Sequence, residues 1–127
     1  MTRDEIMKLK GWELDIVIAE KAMRWTCVMA SDFSDDGYSF KLWTSPDGKS
    51  NNSVPSYSTD RNAAALVLAE IERRGKIKLF CDALWDMRGM DAALSVRDEM
   101  WVTITASPRD ICRAALLAVH SDGDANG

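Results

Sequence analysis

The stretch from Ser107 to His120 constrains the fold more than any other part of the chain. Ser107 is placed to cap a helix with its hydroxyl, and Pro108 follows where a missing N–H costs nothing. Asp110 then sets a carboxylate at the positive end of the helix. Ile111, Ala114, Ala115, Ala118 and Val119 recur at helical spacing and make a narrow stripe of small residues. A helix with such a stripe can approach its neighbours closely, and the expectation is that it lies on a flat sheet.

Helix punctuation recurs upstream. Residues 3–23 read as helical, with Thr2 as cap, Glu5 as its capping-box partner and a break at Gly11. Leu14, Val17, Ile18 and Ala22 form the apolar face, while Glu13, Asp15, Glu20 and Lys21 can stay wet. A second helix begins near Ser58-Thr59-Asp60. Tyr57 packs across its first turn, and Ala63, Ala64, Val67, Leu68 and Ile71 line one side; Gly75 ends it.

Strands are read from alternation. Residues 25–30 form a short strand. Residues 38–44 form another, with Tyr38, Phe40 and Leu42 facing one way. Residues 45–56 are a long polar loop opened by the turn residues Ser45-Pro46-Asp47-Gly48. Three further strands are expected at 76–81, 92–96 and 100–105, closely linked and therefore antiparallel. Trp101 is then a core residue. Residues 82–90 are ambiguous, with a turn at Arg88-Gly89. The expected fold is α/β (α+β), a three-layer helix–sheet–helix sandwich around a mainly antiparallel sheet of three to five short strands. A single domain spans 1–120, and a polar, disordered tail occupies 121–127.

The chain has 127 residues, 46% of them hydrophobic, which supports a core without disulfide or metal staples. Its net charge of −4 disfavours nucleic acid as the main partner, because duplex binding needs a basic face. Arg3, Asp4 and Glu5 follow Met1 at once, and no apolar run reaches bilayer length, so neither a signal peptide nor a membrane partner is expected. Cys27, Cys81 and Cys112 are odd in number and far apart; they read as small buried hydrophobes in a reducing compartment.

Catalytic signals are weak. His120, the single histidine, ends the last helix, where a structural role at the negative helix end explains it. Carboxylate pairs occur at Asp35-Asp36, Asp82 with Asp86, and Asp98-Glu99; the last, adjacent on a strand, would point to opposite faces. Asp32, Asp35 and Asp36 before Gly37 lack the spacing and the closing glutamate of a calcium loop. No phosphate-loop motif occurs. No enzyme activity, metal or cofactor is expected.

Binding chemistry has three addresses. The helix starts at Ser58–Asp60 (Ser58 and Thr59 foremost) and Ser107–Arg109 offer free N–H groups to an anion, an attraction that Asp60 and Asp110 partly cancel. Arg109 and Arg113, four apart, share a helical face and can grip phosphates as planar forks; a solvated ion pair with Asp110 is the plainer account. Among five tryptophans, Trp43 and Trp85 lie at expected strand ends near Lys41 and Arg88. There an aromatic beside a guanidinium can hold a nucleobase or a partner's side chain, against the alternative of core filling.

A family resemblance rests on three blocks. Tyr57-Ser58-Thr59-Asp60 precedes an alanine-rich helix. Ser107-Pro108 leads into Asp110-Ile111-Cys112-Arg113-Ala114-Ala115. The opening pairs Met1 to Ile6 with Glu13-Leu14-Asp15 and Val17 to Lys21. Together they resemble the phage ABA-sandwich domain, while residues 31–56 and 82–97 depart from it. The resemblance implies phage or prophage origin and the layered fold, and it implies neither catalysis nor catalytic residues. The expected function is a non-enzymatic binding protein of the host-cell cytoplasm, for host interaction or counter-defence, that engages a host protein or complex. The alternative is a sponge for a cyclic nucleotide immune signal, by fold-level analogy with Thoeris anti-defence proteins. A homo-oligomer is expected, because thin layers in a short chain leave apolar edges to cover.

Overall fold

The computed structural model describes residues 1–31, 39–89 and 96–123, and places in them six helices and one three-stranded antiparallel sheet. The fold is mixed α+β, as expected, and the strand count among the described residues is three.

The first helical stretch is broken at Gly11 into α1 (Arg3–Lys8) and α2 (Gly11–Lys21). Thr2 caps α1 by accepting the Glu5 N–H at 3.2 Å. Leu14, Ile18 and Ala22 are buried and Val17 is half-buried, matching the expected face. Beyond α2 the chain turns through Arg24, which adopts a left-handed φ of 61°, into β1 (Thr26–Ser31). β1 pairs with β2 (Ser39–Thr44) in a register that sets Cys27 opposite Trp43 and Val28 opposite Leu42. The Ser45–Gly48 turn then returns the chain to β3 (Ser50–Asn51), against the end of β2.

α3 (Arg61–Arg73) starts on Asp60, whose carboxylate accepts the Asn62 N–H at 2.9 Å. It stops at Gly75, whose φ of +71° lets the Lys76 N–H reach back to the Ile71 carbonyl at 3.0 Å. Ala63, Ala64, Val67 and Ile71 are buried.

The segment expected as a strand at 76–81 is helix α4 (Ile77–Met87) instead. The alternation of Ile77, Leu79 and Cys81 is coincidental. The buried residues are Phe80, Cys81 and Leu84, with Ile77 packed beside them, and Leu79 points outward. That is helical spacing, visible only over a window longer than six residues.

The strand expected at 100–105 is likewise helix α5 (Val96–Thr105). Its Val, Thr and Ile content favours strand locally, but tertiary burial of Val102 and Ala106, four apart, overrides that preference. Thr105 settles its hydroxyl on the carbonyl of Trp101 at 2.8 Å, the usual fate of threonine inside a helix. Trp101 is therefore not core; it is more than half exposed. The strand expected at 92–96 falls outside the described residues except for Val96, the first residue of α5.

α6 (Pro108–Gly123) starts as expected, with Ser107 accepting the Asp110 N–H at 3.2 Å. It runs three residues into the expected tail, and residues 124–127 fall outside the described set. Ile111, Cys112, Ala114, Ala115, Leu116 and Ala118 are all buried. The main neighbours of its small-residue stripe are helices rather than a sheet, namely α4, α3, α2 and α1. α6 is thus the axis of the core, and alanine lets the surrounding backbones come close.

Candidate functional site

The residues singled out from the sequence do not meet in one place. Ser58 is buried and structural: its hydroxyl donates to the Gly11 carbonyl at 3.1 Å, and its N–H donates to Asp15 Oδ1 at 2.7 Å. These bonds tie the approach to α3 onto the start of α2. They also correct the expectation that Asp15 simply stays wet and that the Ser58 N–H is free for an anion. Thr59 is exposed in the turn before the Asp60 cap. Trp43 is buried in the sheet, where it sits opposite Cys27 and Asn51. Trp85 lies on α4, not at a strand end, and packs against the core.

Arg109 is exposed in the first turn of α6, and Arg113 follows one turn later. The Arg113 Nε is enclosed without a hydrogen-bond partner. An anion cannot reach that atom unless the guanidinium swings outward. The two helix starts are nonetheless neighbours, because Arg61 of α3 donates to the Ala106 carbonyl just ahead of α6, at 3.4 Å.

Arg88 at the end of α4 meets a different aromatic from those expected. Its guanidinium carbon lies 5.1 Å from the centre of the Trp101 ring on α5. This cation–π contact pins α5 against α4. It also marks the largest cluster of exposed apolar side chains on any described helix: Met100 is 61%, Trp101 52% and Ile104 70% exposed. Positions 100, 101 and 104 share one side of α5, opposite the buried Val102; the buried Ala106 follows just past the helix end. Between this face and the ends of α3 and α4 runs a groove of about 420 Å³, lined by Leu68, Glu72, Ile77, Cys81, Met100 and Ile104, with Thr103 beside them.

A second cleft, about 430 Å³, opens between the β2–β3 hairpin, the end of α2 and α3. Its wall holds Trp25, whose Nε1–H donates to the Tyr57 hydroxyl at 3.0 Å. Burial pushes the Tyr57 phenol up from its ordinary value. Glu70, on the same wall, is held at about 2 by hydrogen bonds from Arg73 and Arg74. On the rim, the Ser45 hydroxyl and the Lys49 N–H lower the Asp47 carboxyl.

Among the described residues neither concavity presents an activated nucleophile. Burial pushes the Cys112 thiol up to about 12, which removes its thiolate at neutral pH. Cys81 is buried with its sulfur 3.8 Å from the Thr103 hydroxyl. Cys27 departs from expectation, since it is exposed on β1. Asp82 and Asp86 are spent on surface ion pairs with Lys78 and Arg3. No group of three His, Cys, Asp or Glu that could hold a metal ion lies together among the described residues. Asp32, Asp35 and Asp36 lie outside the described set. No described helix is long and apolar enough to cross a membrane.

Residues 16–116 match the phage ABA sandwich domain, a span that takes in β1 to β3, α3 to α5 and the first half of α6. The chain belongs to that family. Neither the curated proteins nor the solved structures give a match. The match reaches across the hairpin and α4–α5, where the motifs seen in the sequence are silent. In this phage ABA sandwich domain the outer face of α5 escaped sequence reasoning, because Trp101 was assigned to a strand. The signal was present: residues 100, 101 and 104 alternate with 102 and 106 at helical, not strand, spacing.

Proposed function

We propose that this phage ABA sandwich domain is a non-enzymatic binding module, which works in the host-cell cytoplasm by holding a host protein or complex. One observation carries the proposal: Met100, Trp101 and Ile104 stand in water on one side of α5, next to an apolar groove. With each of the three 52–70% exposed, leaving them uncovered forgoes about 1–2 kcal/mol apiece of burial free energy. Clustered apolar exposure of this kind marks a surface that a partner covers.

The test is a photo-crosslinking residue placed at Ile104, with Lys41 on β2 as the distant exposed control, in cells that carry the phage's host proteins. A discrete host-protein adduct is expected from position 104 alone, and it should vanish when Met100→Glu is added. Adducts of equal yield from both positions, or none, refute the proposal.

A second reading has its own support. The Arg61–Ala106 bond sets the positive ends of α3 and α6 side by side, with Arg109 exposed there. Such a place suits a nucleotide phosphate, as a sponge for cyclic nucleotide signals requires. A melting-temperature panel of cyclic and linear nucleotides separates the two. A sponge at a hundred times its dissociation constant gains about 2.7 kcal/mol, and that gain is lost in Arg109→Ala.

A further inference from the structure

We infer that the occupant of the α5 groove is an amphipathic helix whose apolar side carries one basic residue at its edge, and that this cation pairs with Glu72. The inference rests on the reading of α5 as the docking face, and it goes on to the chemistry of the partner.

Charge is the first ground. Among the described residues that line the groove Glu72 is the charged one, and Thr103 is the other polar side chain in a lining that is mostly apolar. It sits in the last turn of α3, where the helix end is already negative, so a carboxylate there is unfavourable by about 0.3–1 kcal/mol. Its neighbour Glu70 is compensated in full: Arg73 and Arg74 both bond to it, at 2.5–3.1 Å. Among the described residues no ion pair joins Glu72. A partner that covers the groove strips water from this carboxylate. A wholly apolar or acidic partner leaves a desolvated, unpaired charge and is rejected; a partner with a cation at that point is accepted. A guanidinium suits the place best, since its planar fork can take both oxygens.

Backbone satisfaction is the second ground. The groove is walled by three helices, α3, α4 and α5, which offer no strand edge to an incoming chain. An extended peptide would bring bare N–H and C=O groups against Leu68, Ile77 and Ile104 with nothing to pair them. A helix arrives with those groups already bonded and presents anchors at i, i+3 or i+4, and i+7.

The probes are 18-residue model helices with a Leu/Ala face, identical except for Arg, Gln or Glu at one flanking position. Binding to the intact protein is followed by fluorescence anisotropy at low and high salt. The Arg peptide is expected to bind at least ten-fold tighter than the Glu peptide at low salt, with the margin narrowing at high salt. Glu72→Arg should reverse the order without loss of fold, since it also relieves the helix end. Ile104→Glu should remove binding of all three. Equal affinities for the Arg and Glu peptides, or an unchanged order in Glu72→Arg, overturn the inference. So does concentration-dependent self-association that Ile104→Glu abolishes, because the occupant is then a second copy. Binding of none of the peptides overturns it as well. If crosslinks from position 104 persist in that last case, the docking face survives and only the partner's chemistry is wrong.

Discussion

Protonating Glu70 should loosen the junction between α3 and α2, and its geometry sets the size of the effect. Oε1 accepts from Arg73 at 2.5 Å and from Arg74 at 3.1 Å, and Oε2 accepts from Arg73 Nε at 2.9 Å. Arg74 then spends its Nη2 on the Ala22 carbonyl at 2.5 Å, where α2 ends. One carboxylate thus orients the arginine that bridges two helices. These bonds hold its pKa at about 2, against an ordinary 4.5. At about 1.4 kcal/mol per unit the ceiling is roughly 3 kcal/mol. Arg73 is more than half exposed, so solvent screening takes its share well below that, and about 1–2 kcal/mol is expected. The folded pKa lies below the unfolded one. The stabilisation is therefore complete above pH 4.5 and is lost as pH falls through that value toward 2. Urea unfolding of the parent and Glu70→Gln, followed by tryptophan fluorescence, should differ by about 1–2 kcal/mol at pH 7. Less than half of that difference should remain by pH 3. All other carboxylates are common to both proteins, so the difference isolates Glu70. A gap that stays flat from pH 7 to pH 3, or no gap at pH 7, refutes the reasoning.

Three further outcomes follow from the packing. Ala115→Leu forces a larger side chain into the fully buried centre of α6 and should lower unfolding free energy by about 1–3 kcal/mol, while Ala65→Leu on the exposed side of α3 stays within about 0.5. Denaturant titration checks both. Ser58→Ala removes the bond to the Gly11 carbonyl and should cost about 1 kcal/mol, against none for the exposed Thr59→Ala. β1 is an edge strand among the described residues, and Val28 and Met29 are exposed on its opposite faces; a homo-oligomer formed through that edge is expected. Sedimentation at micromolar concentration should show it, and Val28→Lys with Met29→Lys should return a monomer. A monomeric parent rejects that expectation.

Helix boundaries with local chemistry were legible in the sequence, and those without were not. Thr2, Asp60 and Ser107 each cap a helix through a side-chain oxygen, and Gly75 ends one at a φ that other residues avoid. α4 has no such start. Its N-cap is Lys76, which makes no side-chain capping bond, so only the 77, 80, 81, 84 spacing could reveal it. Over the six residues from Lys76 to Cys81 that spacing mimics alternation. α5 misleads in a second way, because Trp101, Val102, Thr103, Ile104 and Thr105 are all strand formers. Their helix is selected by what lies inside, Val102 and Ala106, not by local preference.

The same fact explains why the candidate surface was missed and why it is suited to binding. α6 gathers α1, α2, α3 and α4 around its alanines, whereas α5 has α4 as its main helical neighbour. α5 therefore spends one side on the core and holds the other in reserve. Arg88 over Trp101 fixes its pose without covering its outer face. Substitutions at Met100 or Ile104 remove no buried contact, so they should alter recognition while leaving stability near the parent's. Substitutions at Val102 should do the reverse. Trp101 also carries the Arg88 contact, and its replacement should cost stability as well. A residue read as core from a strand pattern cannot announce a surface; once the helix is drawn, the same letters divide cleanly into an anchoring side and an offered one.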